Sequence, residues 1–297
     1  EHENRVTMTQ SKPQAPSQDH HFIPKFLLRA WAGDDRKVAC CWPRDDGIVR
    51  PGRLSPKSFG YRTLLYTTQG LPPEHAQQME DKFFKRLDDR AAKAHELLVA
   101  GRVGELTDAT VLGWANFVIS LWFRTPTDID GLGEFVDAFK DPDFSESKLG
   151  MATPEALPDG AYSALQMEAV REAIYDPALN QALVDMNWYS LETETSRRFM
   201  ISDWPTHTAQ NLPFLGHPNS YIAMPISPKR IFIAAASDTF IHEVLHTPQA
   251  FLVDRVNEGI VAHARHFVGY ADEGEVPFIK SHFASAPRPS VAGTIRN

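Results

Sequence analysis

The first apolar segment of the chain is the stretch Asp19-His20-His21-Phe22-Ile23-Pro24-Lys25-Phe26-Leu27-Leu28-Arg29. Pro24 suits the first turn of a helix, where its missing N–H costs nothing, and apolar residues recur around it at three- and four-residue spacing. This pattern predicts a short buried helix with His20 and His21 at or just before its start. Two imidazoles in that place could bind a carboxylate, hold a metal or relay protons. The alternative, which the pattern alone favours, is that they cap the helix and pack.

The composition is typical of a globular protein. Of the 297 residues, 42% are apolar, and a net charge of −8 at pH 7 disfavours nucleic acid or an anionic membrane as a partner. Cys40 and Cys41 are adjacent, so we expect no disulfide between them, because neighbouring residues of a strand point to opposite faces. The sequence contains no apolar run of membrane-spanning length, and residues 1–18 lack the apolar segment of a signal peptide. We therefore expect a cytoplasmic protein.

The order of predicted elements indicates an α+β fold in a single domain. Helices are predicted at 72–101, 106–123, 127–140, 162–183 and 238–270, the last with a break at Pro248. Strands are predicted at 37–42, 47–49, 187–194, 198–202, 221–226 and 230–235. Because strands and helices do not alternate regularly, we expect a helical bundle packed on a small, mostly antiparallel sheet. Residues 1–18 would form a flexible N-terminal arm, 19–281 the domain and 282–297 a polar C-terminal tail.

The pentapeptide His242-Glu243-Val244-Leu245-His246 has the spacing of a zinc site on a helix. The two imidazoles would share one helix face and grip the ion, with Glu243 as general base. A third ligand would have to come from Glu258, His263 or His266. Pro248 lies where zinc peptidases of this type keep a regular helix. The alternative, which the pattern favours, is a solvated amphipathic helix whose apolar side chains Ile241, Val244 and Leu245 point inward.

Other candidate site residues lie beside apolar segments. Glu80 follows the core-facing Met79, where desolvation would raise its pKa toward the range that a general acid–base catalyst needs. Arg124 follows an apolar helix face and could hold a substrate carboxylate. Asp203 and Trp204 follow a strand and could line a pocket. The structural alternatives are a surface glutamate, an arginine that caps a helix, and an ordinary turn.

The chain resembles a mainly bacterial family described only as a domain of unknown function. The motifs of that family are matched in order across about residues 19–270. The matching segments are His20 to Arg29, Leu65-Tyr66-Thr67, the glutamate-led helix Glu80 to Leu98, Arg124 to Pro126, Phe199 to Pro205, and Pro225 to Pro228.

Within this family, the sequence is similar to microbial Pictet–Spengler enzymes of β-carboline alkaloid biosynthesis. The resemblance implies a cofactor-free homodimer that condenses an aromatic amino acid, L-tryptophan, with an aldehyde. Glu80 would be the general acid and base, and His20 or His21 would hold the amino-acid carboxylate. We add Arg124 and Trp204 as candidate substrate-binding residues. The loop before Glu80 departs from the pattern of these enzymes, so the resemblance leaves the aldehyde open.

Two other function classes remain as hypotheses. One is a zinc metallohydrolase built on His242, Glu243 and His246. The other is a nuclease-like or defence protein that uses His20 and His21. The resemblance weakens the zinc hypothesis, because we know of no conservation of the pentapeptide in the family.

Overall fold

The computed structural model describes residues 18–68, 70–138, 160–208 and 215–288. The described residues form helices and antiparallel sheets, which confirms the predicted α+β class. Residues 141–160, which are rich in Asp, Ser and Pro and which the sequence predicts to form a polar loop, lie mostly outside them. Instead of one small sheet, the described strands form a two-stranded and two four-stranded sheets. Every strand pair in these sheets is antiparallel.

The histidine pair lies in a strand and not at a helix cap. Strand β1 (Asp19–His21) pairs with β4 (Tyr61–Thr63), and helix α1 (Lys25–Arg29) begins only after an extended Pro24. No side chain caps this helix, so the cap interpretation of His20 and His21 is wrong. The physical reason is that a residue preceding proline is pushed toward extended backbone, which separates the histidines from the helix.

The hairpin of β2 (Val38–Pro43) and β3 (Val49–Leu54) belongs to a four-stranded sheet. The other two strands of this sheet are β6 (Ile201–Ser202) and β10 (Val268–Tyr270), which come from the second half of the chain. The order of the strands is β3-β2-β10-β6. Cys40 and Cys41 lie on β2, are both free, and belong to two different apolar clusters, one on each face. Burial raises the pKa of these thiols, so they pack as small apolar groups.

The predicted helical half is present, with more breaks than the apolar periodicity indicates. Its elements are α2 (Pro73–Ala76), a π-helix (Met79–Phe84), α3 (Lys85–Val99), a 3-10 turn (Val103–Glu105), α4 (Asp108–Ser120), α5 (Pro126–Ala138), α6 (Ala161–Ile174) and α7 (Pro177–Val184). The helix predicted at 162–183 is divided because Asp176 caps a new helix that begins with Pro177.

The second four-stranded sheet consists of β5 (Asn187–Glu192), β7 (His207–Thr208), β8 (Tyr221–Ser227) and β9 (Arg230–Ala235). The order of these strands is β5-β9-β8-β7. The pairing of β8 with β9 confirms the predicted hairpin at 221–235. The helix predicted at 238–270 is wrong beyond residue 262. The chain forms α8 (Asp238–His246), α9 (Gln249–Ala262), β10, a 3-10 turn (Glu273–Glu275) and α10 (Val276–His282).

Two apolar clusters form the core. The larger one joins α1, α3, α4 and one face of each four-stranded sheet, and it contains the fully buried Trp114 and Phe84. The smaller one lies between the opposite faces of those sheets and helices α9 and α10. Within the described residues, none of the helices combines the length and apolar character that crossing a bilayer requires.

Candidate active site around Glu80

Glu80 lies in an unusual segment of helix. The chain from Met79 to Phe84 forms a π-helix, in which the N–H of Lys85 donates to the carbonyl oxygen of Glu80, five residues earlier. This wider turn continues directly into α3. Short π segments inside α-helices are rare and occur frequently at functional sites, because the extra residue turns neighbouring side chains to new directions. The geometry therefore makes Glu80 a stronger candidate than its sequence neighbours.

The Glu80 carboxyl group is poorly hydrated. Its Oε2 atom is buried and has no hydrogen-bond partner among the described residues. Burial raises the pKa of Glu80 from 4.5 to about 7; the charge of Arg124 opposes this shift, and those of Asp88 and Asp81 add to it. A carboxyl group with such a pKa is present in both protonation states at neutral pH, so it can give and take a proton.

Tyr66 connects the residues next to Glu80. Its backbone N–H donates to Nδ1 of His20 at 2.9 Å, and its hydroxyl group donates to the carbonyl oxygen of Arg124 at 2.6 Å. Its ring stacks on His20 with centroids 5.6 Å apart and contacts Phe84 at 4.3 Å. Tyr66 is fully buried, and the charge of Glu80 contributes to raising the pKa of its hydroxyl group. The Glu80 carboxyl group therefore belongs to the surroundings of this aromatic cluster.

The guanidinium group of Arg124 is held by the protein itself. It donates to both carboxylate oxygens of Asp88, at 2.7 and 3.2 Å, and to the carbonyl oxygen of His21 at 2.8 Å. It also lies 4.6 Å from the centroid of the Phe84 ring. Bidentate binding of a substrate carboxylate, as predicted, would need the two terminal nitrogens of Arg124, and both already donate to Asp88. Arg124 therefore braces the site, and only its Nε atom is buried without a partner in the described part of the chain.

The two histidines are buried and electrically neutral neighbours of this cluster. His20 is fully buried, and because its Nδ1 accepts a hydrogen bond, its proton is on Nε2. Burial, together with the charge of Lys25, lowers the pKa of His21 to about 4. The Nε2 atom of His21 has no hydrogen-bond partner among the described residues.

Several polar atoms near Glu80 are buried without hydrogen-bond partners. Within the described residues these are Oγ1 of Thr67, Oε1 of Gln77, Oε2 of Glu80, Nε2 of His21 and Nε of Arg124. Thr67 follows Tyr66, and Gln77 precedes Glu80 by about one turn, so the atoms come from neighbouring segments. Buried polar groups are normally paired, and leaving one unpaired costs about 1–3 kcal/mol. This concentration of unpaired atoms is typical of a place that receives a polar ligand or water.

Trp204 belongs to a different group of residues. Its buried ring lies 5.3 Å from the guanidinium carbon of Arg288, which pairs with the buried Asp203. The Asp203 carboxylate also accepts the backbone N–H groups of residues 265–267. The Asp203 carboxylate thus stabilises the turn at residues 265–267, and Trp204 packs against its partner Arg288. We therefore do not place Trp204 in the Glu80 site.

The pentapeptide at 242–246 forms part of α8. The rings of His242 and His246 stack with centroids 4.0 Å apart, and Nδ1 of His246 contacts the carbonyl oxygen of His242 at 2.7 Å. Leu245 is 55% exposed, which contradicts its predicted inward direction. In the part of the chain that the structure describes, no group of three or more His, Cys, Asp or Glu side chains is arranged to hold a metal ion. The expected third ligands do not complete this site.

Sequence reasoning missed the residues that brace the site. The sequence predicts no site role for Asp88, and Tyr66 enters only as part of a family motif. Asp88 follows Phe84 by one helical turn, and the preceding Leu87 is in the core. That neighbourhood marks Asp88 as a carboxylate at the edge of the apolar stripe, which was the same signal that selected Glu80. Its partner Arg124 lies 36 residues away, a distance over which sequence spacing carries no information.

Comparison with known proteins places the chain in a family. A sequence model of the family described as "Protein of unknown function (DUF4238)" matches residues 19–274, so the chain belongs to this family. Searches of curated proteins and of solved structures returned no significant match.

Proposed function

We propose that this member of the DUF4238 family catalyses a cofactor-free Pictet–Spengler condensation, in which an aromatic amino acid such as L-tryptophan reacts with an aldehyde in alkaloid biosynthesis. One observation carries the proposal: the Glu80 carboxyl group is buried without a partner for Oε2, and its pKa is raised to about 7. The similarity of the glutamate-led helix and of the histidine-bearing opening to enzymes of this class supports the choice of reaction.

The proposed chemistry needs one carboxyl group that alternates between its two protonation states. The substrate amine adds to the aldehyde carbon and gives a carbinolamine. Protonated Glu80 donates its proton to the carbinolamine hydroxyl group, which leaves as water and produces an iminium ion. The indole ring then forms a carbon–carbon bond to the iminium carbon. Glu80, now a carboxylate, takes the proton from that ring carbon, which restores both the aromatic ring and the acid form of the enzyme.

We propose substrate contacts other than those predicted from the sequence. Arg124 is already occupied by Asp88, and His21 is neutral at pH 7, so neither supplies a free positive charge. We assign the amino-acid carboxylate to Lys25, whose charge acts on both Glu80 and His21 and which forms no ion pair within the described residues. His21 would donate or accept one hydrogen bond through Nε2. The rings of Tyr66 and Phe84, whose centroids are 4.3 Å apart, are the aromatic groups that we assign to the indole.

Glu80→Gln tests the proposal directly. We expect this change to reduce formation of the tetrahydro-β-carboline product from L-tryptophan and an aldehyde by at least about a hundredfold, because proton transfer by a positioned side chain contributes roughly 10²–10⁴-fold. The product would be measured by liquid chromatography and mass spectrometry across a panel of aldehydes. With the wild-type protein, turnover should fall above pH about 7, where Glu80 loses its proton.

Glu96→Gln is the matched control, because Glu96 is an exposed glutamate on α3, which continues the π-helix. It should leave turnover unchanged, and both variants should keep the circular dichroism spectrum of the wild type. Wild-type turnover that persists in Glu80→Gln would refute the assigned role. Absence of product from every aldehyde with the wild-type protein would refute the reaction.

The resemblance also predicts a homodimer in the cytoplasm. Sedimentation equilibrium of the purified chain, whose mass is 33.3 kDa, would distinguish a monomer from a dimer of twice that mass.

A further inference from the structure

A cleft of about 410 Å³ is lined by residues other than Glu80, and one of them, Tyr61, contacts the ring of His21 at 5.4 Å. It is formed by the end of β3, the segment that leads into β4, the residue after β1, and the turn before β10. Its lining residues are Phe22, Trp42, Leu54, Ser58, Phe59, Gly60, Tyr61, Arg62, Thr63, His266 and Phe267. None of the residues assigned above to the Glu80 site lines this cleft. Its volume lies within the range of sites for small organic ligands, about 300–1,000 Å³.

The walls of the cleft are mainly aromatic and are fixed by ring contacts. Phe59 and Phe267 meet edge to face with centroids 4.8 Å apart, and Phe22 contacts the ring of His266 at 5.3 Å. The Trp42 ring packs closely against Gly52, where an added Cβ would lie 2.6 Å from the ring. The floor is therefore rigid before any ligand arrives, which lowers the entropy lost on binding.

The cleft lining offers no uncompensated charge. Both terminal nitrogens of Arg62 donate to the two carboxylate oxygens of Asp130, each at 2.6 Å. Burial lowers the pKa of His266, so its imidazole is neutral at pH 7. The remaining lining residues named above are apolar, aromatic or hydroxyl-bearing. The guanidinium group of Arg44, which does not line the cleft, already stacks on the Trp42 ring, with its carbon 4.1 Å from the ring centroid. The flat face of an uncharged aromatic ring that entered this space would meet aromatic walls.

We propose that this cleft is a second ligand site, which takes an uncharged planar heteroaromatic molecule of about two fused rings. The volume, the aromatic floor and the paired state of Arg62 carry this inference together. It does not depend on the reaction proposed for Glu80.

Titration with indole, an uncharged bicyclic heteroaromatic, tests the inference. Binding would be followed by isothermal calorimetry and by changes in the amide NMR signals of an isotope-labelled chain. We expect saturable binding that shifts the signals of Gly60 and Phe267, and an affinity for the anion indole-3-acetate that is no greater than that for indole. Trp42→Leu should weaken indole binding about fivefold, since an aromatic contact is worth about 1 kcal/mol beyond its buried area.

A control variant and the NMR signals locate the site. Phe251→Leu removes an aromatic ring that is 60% exposed outside the cleft and should leave indole affinity unchanged. If Trp42→Leu unfolds the chain, Tyr61→Leu serves in its place. The inference would be overturned by no binding at millimolar indole, by shifts at Tyr66 and Phe84 without shifts at Gly60 and Phe267, or by indole-3-acetate binding at least tenfold tighter than indole, because the last result would show that a neighbouring arginine is free to pair.

Discussion

Burial sets the chemistry of Glu80, and the same effect makes the stability of the protein depend on pH. The folded protein keeps the Glu80 proton up to pH about 7, whereas a hydrated glutamate releases it near 4.5. Between these values the folded state binds more protons than the unfolded chain, so this group lowers the free energy of unfolding as the pH rises. The penalty for ionising Glu80 is absent below pH 4.5 and is complete above pH 7.

Glu80→Gln should remove this pH dependence. Relative to the wild type, we expect the variant to gain stability between pH 5 and pH 8 by at most about 3 kcal/mol, the equivalent of the pKa shift. Urea unfolding of both proteins at the two pH values would measure the difference. The two proteins share every other titrating group, so the contributions of those groups cancel in the comparison. A difference in the free energy of unfolding that does not change with pH would mean that the Glu80 carboxyl group is hydrated.

Gly60 illustrates a constraint that acts on the backbone of a single residue. Its φ of 69° is left-handed, and its carbonyl oxygen accepts the N–H groups of Phe22 and Ile23, which follow the histidine pair. A Cβ at this position would lie 3.3 Å from Leu28, whereas at Gly47, which has φ of 74°, nothing lies within 4 Å. The two glycines therefore share the backbone strain and differ in packing.

This difference leads to a paired prediction. Gly47→Ala should lower the free energy of unfolding by about 1 kcal/mol, the cost of left-handed backbone for a residue with a Cβ. Gly60→Ala should lower it by about 2–3 kcal/mol, because crowding against Leu28 adds to that cost. Chemical denaturation of both variants provides the comparison. Equal losses would show that Leu28 moves aside freely and that packing at Gly60 is loose.

Among the secondary-structure elements, the Arg124–Asp88 pair joins three segments. Asp88 is on α3, Arg124 follows α4, and the same guanidinium group bonds the carbonyl oxygen of His21 at the end of β1. Burial opposes the charge of Arg124, yet Asp88 and Tyr66 outweigh it and raise its pKa further. Burial raises the pKa of Asp88, and the charge of Arg124 opposes this shift. The pair holds the histidine strand against α3, which continues the π-helix of Glu80.

Removal of one partner should be far worse than removal of both. Arg124→Met leaves the Asp88 carboxylate without its counterion, and we expect it to destabilise the protein by about 3–5 kcal/mol. In the double variant with Asp88→Leu, much of this loss should be recovered, because no unpaired charge remains. Thermal and urea unfolding of the wild type, both single variants and the double variant would give the coupling energy. Additive losses would contradict a direct energetic coupling between the two side chains.

The elements that sequence reasoning predicted correctly are those with a local signal. The apolar periodicity of α3 and α4 and the turn between β8 and β9 are contained in a few neighbouring residues. Strand β1 carries no such signal, because it has three residues and its partner β4 lies some 40 positions away. The π-helix was invisible for a related reason: apolar spacing in Met79 to Phe84 fits an α-helix as well. In the folded protein its last residue, Phe84, contacts Tyr66 and Arg124, which are distant in the sequence.

For the molecule as a whole, Asp203 fastens segments that are distant in the chain. Its fully buried carboxylate accepts the backbone N–H groups of residues 265–267, which precede β10. It also pairs with Arg288, whose other nitrogens donate to Thr125 and to the carbonyl oxygen of His263. Arg288 lies within the segment predicted as a polar tail, and the structure instead packs it against the helical half. Nothing in the composition of residues 282–297 indicates this contact.

Asp203 should contribute more to the free energy of unfolding than its partner Arg288. Asp203→Leu removes the acceptor for three backbone N–H groups and leaves Arg288 unpaired, so we expect a loss of about 3–5 kcal/mol. Arg288→Gln leaves those three donors on Asp203 and should cost about 1–2 kcal/mol. Calorimetric unfolding would rank the variants, and hydrogen exchange at residues 265–267 would show whether the turn opens only when Asp203 is changed. If Arg288→Gln also exposed these amides to exchange, the ion pair and not the backbone hydrogen bonds would hold the turn. Arg288 would then be as important for the fold as the Asp203 carboxylate.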